Sequence, residues 1–138
     1  MGNTTSMSER LLLAAERAAE LAHAPYSRFR VGAAVVDEFG TVHTGCNVES
    51  GTYTATVHAE AAALAACVGA GLGAPVAIAV ACIDAGGRSS NGWPCGICRQ
   101  LLVELMGPDG VVHTRTGTRT VGELLPEAFT LEPVAGDS

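Results

Sequence analysis

Apolar side chains recur with a helical period in three stretches of the chain. Residues 8–22 (SERLLLAAERAAELA) begin with a serine suited to capping a helix and then place apolar side chains three and four positions apart. Residues 56–69 are rich in alanine and end in a series of glycines before Pro75, and residues 95–106 (CGICRQLLVELM) form the third stretch. We predict a helix for each of them, and a short helical turn for residues 121–129.

Segments typical of β-strands separate these helices. Residues 29–37 and 41–49 are rich in small and β-branched side chains, and the short turn between them is typical of a hairpin. Residues 76–84 (VAIAVACID) form a continuous apolar run of strand length, as in strands buried on both faces, and residues 111–116 form another strand. Because strands alternate with helices, we predict a layered α/β domain with an antiparallel hairpin and parallel later strands.

Length and charge narrow the possible partners. A chain of 138 residues with 48 % hydrophobic residues fits one compact domain, and no apolar run reaches the roughly 18 residues of a membrane-spanning helix. The net charge is −6, and the arginines are scattered rather than clustered on one face. We therefore expect neither a nucleic-acid nor a membrane partner. We expect a single domain over residues 1–138, with loose tails at 1–7 and 130–138.

Five cysteines with uneven spacing follow a start that lacks the features of an export signal. This combination favours reduced thiols or a metal site over a disulfide framework, so we expect the protein in the cytoplasm. Cys46, Cys67 and Cys82 are expected to be small core side chains. Cys95 and Cys98 form a C-x-x-C pair, typical of either a metal site or a redox dithiol.

The C-x-x-C pair enters a predicted helix directly after Pro94. Positions three apart are neighbours on a helix, so both sulfur atoms lie on the same side of its first turn. The free backbone N–H groups of a helix start also lower the pKa of nearby thiols. The position of the pair therefore favours thiolates.

His58 and Glu60 stand near the start of the alanine-rich helix. Because they are two positions apart, their side chains can converge only beyond the N-terminal end of that helix. Alone, the pair could be an exposed first turn with favourable helix-start charges. Together with Cys95 and Cys98, His58 would give a zinc ion three protein ligands and leave one position open, which is the pattern of catalytic zinc sites.

The combination H-x-E followed by P-C-x-x-C is a signature of zinc-dependent nucleobase deaminases. The chain carries it as His58-Ala59-Glu60 and as Pro94-Cys95-Gly96-Ile97-Cys98. The flanking segments PYSRFRVGAAV, TGCNVES, PCGICRQLL and VGELLPEAF extend the similarity. From Leu11 to Phe129, the chain resembles the small cytidine deaminases.

This resemblance implies an α/β/α fold around a mixed five-stranded sheet, a homotetramer and one zinc ion per subunit. It implies the hydrolysis of cytidine and 2′-deoxycytidine to uridine and 2′-deoxyuridine, with release of ammonia, in pyrimidine salvage. His58, Cys95 and Cys98 are similar to the family's zinc ligands, and Glu60 to its catalytic proton shuttle.

The resemblance also implies a set of substrate-binding residues. Asn47 and Glu49 match the pair that holds the ribose 3′-hydroxyl, although without the resemblance a plain turn at a strand end would be the favoured explanation for them. The backbone around Ala59 would hold the pyrimidine carbonyl, and Phe29 would pack near the base and the sugar. Phe129 stands where family members extend an aromatic ring into a neighbour's site.

The chain departs from the family's pattern at the first zinc ligand. The tetrameric enzymes typically show C-A-E-R, whereas this chain has His58-Ala59-Glu60-Ala61. Zinc with three thiolates is anionic, and a nearby arginine offsets that charge. Zinc with one imidazole and two thiolates is neutral, so the histidine and the absent arginine are consistent with each other.

Two other functions stay open at this stage. One is the deamination of a modified aminopyrimidine nucleoside such as blasticidin S, and the other is a zinc-stabilised binding module without catalysis. The roles of Trp93 and Arg99 are open as well. Trp93 covers the mouth of the site or packs its own loop, and Arg99 supports the fold or a subunit contact.

Overall fold

The computed structural model describes residues 5–84 and 92–135. Residues 85–91, a polar and glycine-rich segment between the predicted strand 76–84 and the predicted helix 95–106, lie outside the described residues, as do the ends of the two predicted tails. None of the described helices is long and apolar enough to cross a membrane.

Four helices and five strands follow one another along the described chain. The helices are α1 (Met7–Ala19), α2 (Ala59–Ala70), α3 (Gly96–Met106) and α4 (Val121–Leu124), with one 3-10 turn at Tyr53–Ala55. The strands are β1 (Val31–Asp37), β2 (Val42–Cys46), β3 (Pro75–Cys82), β4 (Val111–Thr114) and β5 (Gly117–Thr120). All helices and strands predicted from the hydrophobic pattern are present, and β5 is an additional strand.

The five strands form one mixed sheet in the order β2-β1-β3-β4-β5. The predicted hairpin of β1 and β2 is confirmed, and β3 and β4 are parallel as expected for later strands. The expectation of parallel later strands is wrong for β5, which returns antiparallel to β4 across a tight turn. β1 also pairs antiparallel with β3, so it lies inside the sheet between β2 and the central strand β3.

Helices cover both faces of this sheet. α1 packs on one face against small residues of the two central strands, such as Ala34 and Ala79. The alternate residues, such as Val35 and Ile78, face the other side and pack against α2, α3 and α4. Because side chains alternate along a strand, these two clusters lie on opposite faces of the sheet. The predicted three-layer α/β/α fold is confirmed.

Small residues bring α2 close to the sheet. A Cβ atom added at Gly45 in β2 would lie 2.7 Å from Cβ of Ala62 and 2.8 Å from the carbonyl oxygen of Ala59. Such distances are far inside van der Waals contact, so only glycine fits at this point. The alanines of α2 and Gly45 together determine how closely the first turn of α2 approaches the sheet.

Candidate active site

The first turns of α2 and α3 meet at the edge of the sheet. His58 precedes α2 and Cys95 precedes α3, and both residues have extended backbone angles without a side-chain hydrogen bond to their own helix. Their side chains are therefore free to turn toward each other. Nδ1 of His58 lies 3.3 Å from Sγ of Cys95 and 3.4 Å from Sγ of Cys98.

The spacing of these three atoms fits one zinc ion. They all lie within 4.8 Å of one another. Zinc binds nitrogen at about 2.0–2.1 Å and sulfur at about 2.3 Å, so tetrahedral ligands stand roughly 3.5 Å apart. The structure thus brings together the three side chains that the sequence analysis selected as metal ligands. An imidazole with two thiols is also a donor set that zinc accepts.

Glu60 lies in the first turn of α2, directly beside this cluster. Its side chain is buried, with only 5 % of the residue exposed. Burial raises the pKa of Glu60, while its own backbone N–H, His58 and Cys98 act in the opposite direction with smaller effect. A carboxyl group in this environment exchanges protons at higher pH than an exposed one.

The thiol of Cys98 departs from the expectation for a helix start. Burial raises its pKa, and the neighbouring Glu60 and Cys95 raise it further, whereas a hydrogen bond from the backbone N–H of Ala61 lowers it. That N–H belongs to α2 and not to α3, the helix that the C-x-x-C pair enters, and the predicted lowering of the thiol pKa is wrong for Cys98 because burial dominates. A bound dication would reverse the balance, because metal coordination deprotonates a thiol outright.

A cavity of about 480 Å³ opens over Glu60 and the metal ligands. Seven of the predicted site residues line it, namely Phe29, Asn47, Glu49, His58, Ala59, Glu60 and Cys95. Cys98 is buried behind His58 and does not line the cavity. Phe129 lies outside the cavity and is 68 % exposed, so its predicted role in a neighbour's site stays a prediction.

Asn47 organises one wall of the cavity through both ends of its amide. Its Oδ1 accepts the N–H of Val31 at 2.8 Å, and its Nδ2 donates to the carbonyl of Phe29 at 2.9 Å. The amide therefore fixes the backbone on either side of Arg30. This positioning role was not predicted, because a sequence does not show which backbone groups a side chain will meet.

Glu49 is held by the loop that precedes β1. One carboxylate oxygen accepts the N–H groups of Tyr26 and Ser27 at 3.0 and 3.1 Å, and the other accepts the hydroxyl of Ser27. These hydrogen bonds, with that of the Ser27 hydroxyl first, lower the pKa of Glu49. The carboxylate is thus ionised and fixed in position on the cavity wall.

Several residues near the cavity were missed or placed elsewhere by the sequence analysis. Ser27 lines the cavity and was not predicted, and so does Cys82, which was expected in the core and is only half-buried. Trp93, for which a place at the site was one of two open alternatives, also lines the cavity. Arg99 donates from Nε to the carbonyl of Pro94 at 2.7 Å and from Nη1 to the carbonyl of Leu124 at 2.8 Å. Arg99 therefore supports the segment that carries the first thiol ligand.

Comparisons with known proteins agree with this geometry. Residues 5–114 match the family model described as the cytidine and deoxycytidylate deaminase zinc-binding region. A cytidine deaminase of Mycobacterium tuberculosis is 44 % identical over 118 residues, which cover 86 % of each chain. The cytidine deaminase of Sporosarcina psychrophila is 36 % identical over 132 residues, covering 92 % of this chain and 94 % of that one.

The fold agrees with a solved structure as well. The crystal structure of the cytidine deaminase from Mycobacterium tuberculosis superimposes with a TM-score of 0.81 and 40 % identity, covering 92 % of this chain and all of that chain (100 %). Family model, sequence relatives and fold all coincide with the cluster of His58, Cys95 and Cys98 beside Glu60. The chain accordingly belongs to the cytidine and deoxycytidylate deaminase zinc-binding family.

Proposed function

We propose that this chain catalyses the zinc-dependent hydrolytic deamination of cytidine and 2′-deoxycytidine to uridine and 2′-deoxyuridine, with release of ammonia. The observation that carries the proposal is the buried carboxyl group of Glu60 beside a three-ligand metal cluster on the wall of a cavity. The relatives named cytidine deaminase, which are similar over most of the chain, support the same activity.

Two groups of residues divide the chemistry. His58, Cys95 and Cys98 would hold the zinc ion, which when bound supplies the Lewis acidity that makes a water molecule acidic near neutral pH. Glu60 takes one proton from the attacking water and delivers it to N3 of the base, and later carries the second proton, from the new hydroxyl on C4, to the leaving amine. A C–O bond forms at C4 of the base and the C4–N bond breaks.

The burial of Glu60 suits this proton transfer. A general acid and base works best when its pKa lies near the working pH, and burial shifts the pKa of Glu60 upward, toward neutrality. Its backbone is fixed in the first turn of α2, which packs closely on the sheet through Gly45. Glu60 can therefore carry each proton over a short distance without moving far.

The cavity favours a nucleoside over a nucleotide. Its lining among the described residues contains neither arginine nor lysine, and Glu49 contributes a negative charge. A phosphate group would meet repulsion there instead of a cationic partner. We infer that Glu49 and Asn47 bind a sugar hydroxyl, that the backbone at Ala59 binds the base carbonyl, and that Phe29 packs on the nucleoside.

We also propose the setting in which the enzyme works. The exposed ring of Phe129 supports a homotetramer in which this residue completes a neighbour's site, with one zinc ion per single-domain subunit. The five free cysteines are consistent with a reducing compartment, and thus with pyrimidine salvage in the cytoplasm. Sedimentation and metal analysis of the purified chain test the stoichiometry.

The activity is tested by ultraviolet spectroscopy of the zinc-loaded protein with cytidine, deoxycytidine, CMP, cytosine and blasticidin S. We expect turnover of the first two and little of CMP. The variant Glu60→Gln should keep its zinc and lose turnover by roughly 10²–10⁴-fold. Glu20→Gln removes an exposed carboxylate just after α1 and should behave like the parent protein.

Two results would contradict the proposal. Full turnover by Glu60→Gln would mean that this carboxyl group does not carry the proton. Loss of zinc in Glu60→Gln would mean that the ligand set is wrong, because Glu60 is not one of the proposed ligands.

A further inference from the structure

Trp93 forms part of the cavity wall at its metal end. It stands two residues before Cys95 and lines the same cavity as His58 and Glu60. It is half-buried and packs against the core cluster under α2 and α3. An indole in this place excludes volume from the part of the cavity nearest to the metal ligands.

Two arginines support this part of the wall. The guanidinium carbon of Arg119, on the edge strand β5, lies 5.8 Å from the centre of the Trp93 ring. A cation over an indole face is attracted to it, so Arg119 helps to fix the orientation of the ring. Arg99 holds the carbonyl of Pro94, the next residue along the chain. The indole ring of Trp93 is therefore held in place as part of the cavity wall.

Two aromatic residues, Phe29 and Trp93, line the cavity and stand beside groups of different chemistry. The carbonyl of Phe29 accepts a hydrogen bond from Nδ2 of Asn47, which we propose to bind the sugar. Trp93 stands two residues before Cys95, whose Sγ lies 3.3 Å from Nδ1 of His58. The carbon atom that reacts must come within reach of Glu60 beside this cluster, so we expect the reacting edge of the base to face Trp93.

We propose that Trp93 is a specificity-determining residue that limits the size of substituents on the reacting edge of the base, at the 4-amino group and C5. This inference rests on the proposed function. With N4-methylcytidine, water adds its oxygen to C4, the C4–N bond breaks and methylamine leaves in place of ammonia. The chemistry is unchanged, so the added methyl group tests only the available space.

The test compares kcat/KM for cytidine, 5-methylcytidine and N4-methylcytidine. In Trp93→Ala, we expect kcat/KM for at least one methylated substrate to rise about tenfold relative to cytidine, since one methyl group in a pocket is worth roughly 10–200-fold. Trp93→Phe should keep most of the parent's discrimination. Phe39→Ala removes an exposed aromatic ring from the β1–β2 turn and should leave all three values unchanged.

Trp93 is the only tryptophan of the chain, so fluorescence gives a direct test on the unaltered protein. Titration with the product uridine should change the emission of Trp93 if the base lies against its ring. No change at saturating uridine, or unchanged substrate ratios in zinc-loaded Trp93→Ala, would overturn the inference. If Trp93→Ala does not retain zinc, the same kcat/KM ratios of methylated substrates to cytidine are measured in zinc-loaded Trp93→Leu, and unchanged ratios there would overturn the inference.

Failure of the proposed function has a different signature. If the zinc-loaded parent protein does not deaminate cytidine, the proposed activity is wrong, whatever Trp93 does. If the parent deaminates cytidine and only the ratios stay constant in the Trp93 variants, the activity stands and Trp93 merely packs its loop.

Discussion

Asp84 holds Arg30 through two side-chain hydrogen bonds of 2.8 Å, and its carboxylate also accepts the backbone N–H of Arg30 at 2.9 Å. Arg30 immediately precedes β1, and Asp84 follows the end of β3. Their neighbours Val31 and Cys82 both line the cavity. The pair therefore fixes the ends of two central strands where those strands form the cavity wall.

Because of the ion pair between Arg30 and Asp84, we expect the stability of the protein to depend on pH. The bonds from Arg30 lower the pKa of Asp84 from 3.8 to about 2. Because the folded pKa lies below the unfolded one, the stabilisation is fully present above about pH 4 and is lost as the pH falls toward 2. We expect Asp84→Asn to lower the thermal unfolding midpoint at neutral pH, and the difference from the parent to shrink between pH 4 and pH 2.

The matched control is Asp109→Asn, an exposed position in the turn before β4. Its difference from the parent should be small at every pH. A constant difference for Asp84→Asn from pH 7 to pH 2 would show that its carboxylate charge does not contribute.

We expect substitution by alanine to have opposite effects on stability at Gly45 and at Gly69. Gly45→Ala would press a methyl group against the backbone of Ala59 in the first turn of α2, so we expect a loss of about 1–3 kcal/mol and weaker zinc retention. Gly69 lies inside α2 with no atom within 4 Å of an added Cβ. Gly69→Ala should therefore gain about 0.5–1 kcal/mol. Denaturant unfolding with metal analysis checks both, and equal effects would contradict the close packing at Gly45.

Removal of the metal should affect stability as well as activity. Zinc binds only the folded cluster, so chelation should lower the unfolding midpoint and abolish turnover, and added zinc should restore both. Cys98→Ser should lose zinc and become insensitive to the chelator. Cys46→Ser alters a half-buried thiol outside the cluster and should keep one zinc per chain. A zinc-loaded Cys98→Ser protein would exclude Cys98 as a ligand.

We expect the effects of substitutions at His58, the first zinc ligand, and at Ala61 to depend on each other. His58→Cys adds a negative charge to the site and should lower kcat/KM by roughly 10–100-fold, in the range of changes around metal sites. Adding Ala61→Arg supplies a compensating cation and should restore part of the loss. Ala61 is half-buried, and its backbone N–H already bonds to Cys98. Equal kcat/KM for the single and double variants would rule out the charge coupling.

The chemistry of the site was predictable from the sequence because it depends on short spacings. Cys95 and Cys98 share one helical turn, and His58 and Glu60 share the start of another, so local geometry fixes each half. Their meeting across 37 residues followed from the resemblance and not from periodicity. The alanines of α2 are typical of a helix that packs closely on a sheet, since only small side chains allow such an approach.

Other features depend on contacts that a sequence pattern does not contain. β5 consists of Gly-Thr-Arg-Thr at an exposed sheet edge and lacks the apolar alternation that marks a strand. The antiparallel pairing of β1 with β3 involves two apolar segments whose patterns do not specify direction. The rise in the pKa of Cys98 depends mainly on its burial, which a sequence pattern does not show.

The two thiol ligands differ in how far the solvent reaches them. Cys95 is exposed, whereas Cys98 is buried. Oxidants and alkylating reagents attack accessible sulfur first, so chemical ageing of the protein should begin at Cys95. Damage to that single atom is enough to open the metal cluster. The rate at which stored protein loses its metal site is thus set by Cys95, its most exposed ligand. A reducing buffer that contains zinc should protect both thiol ligands.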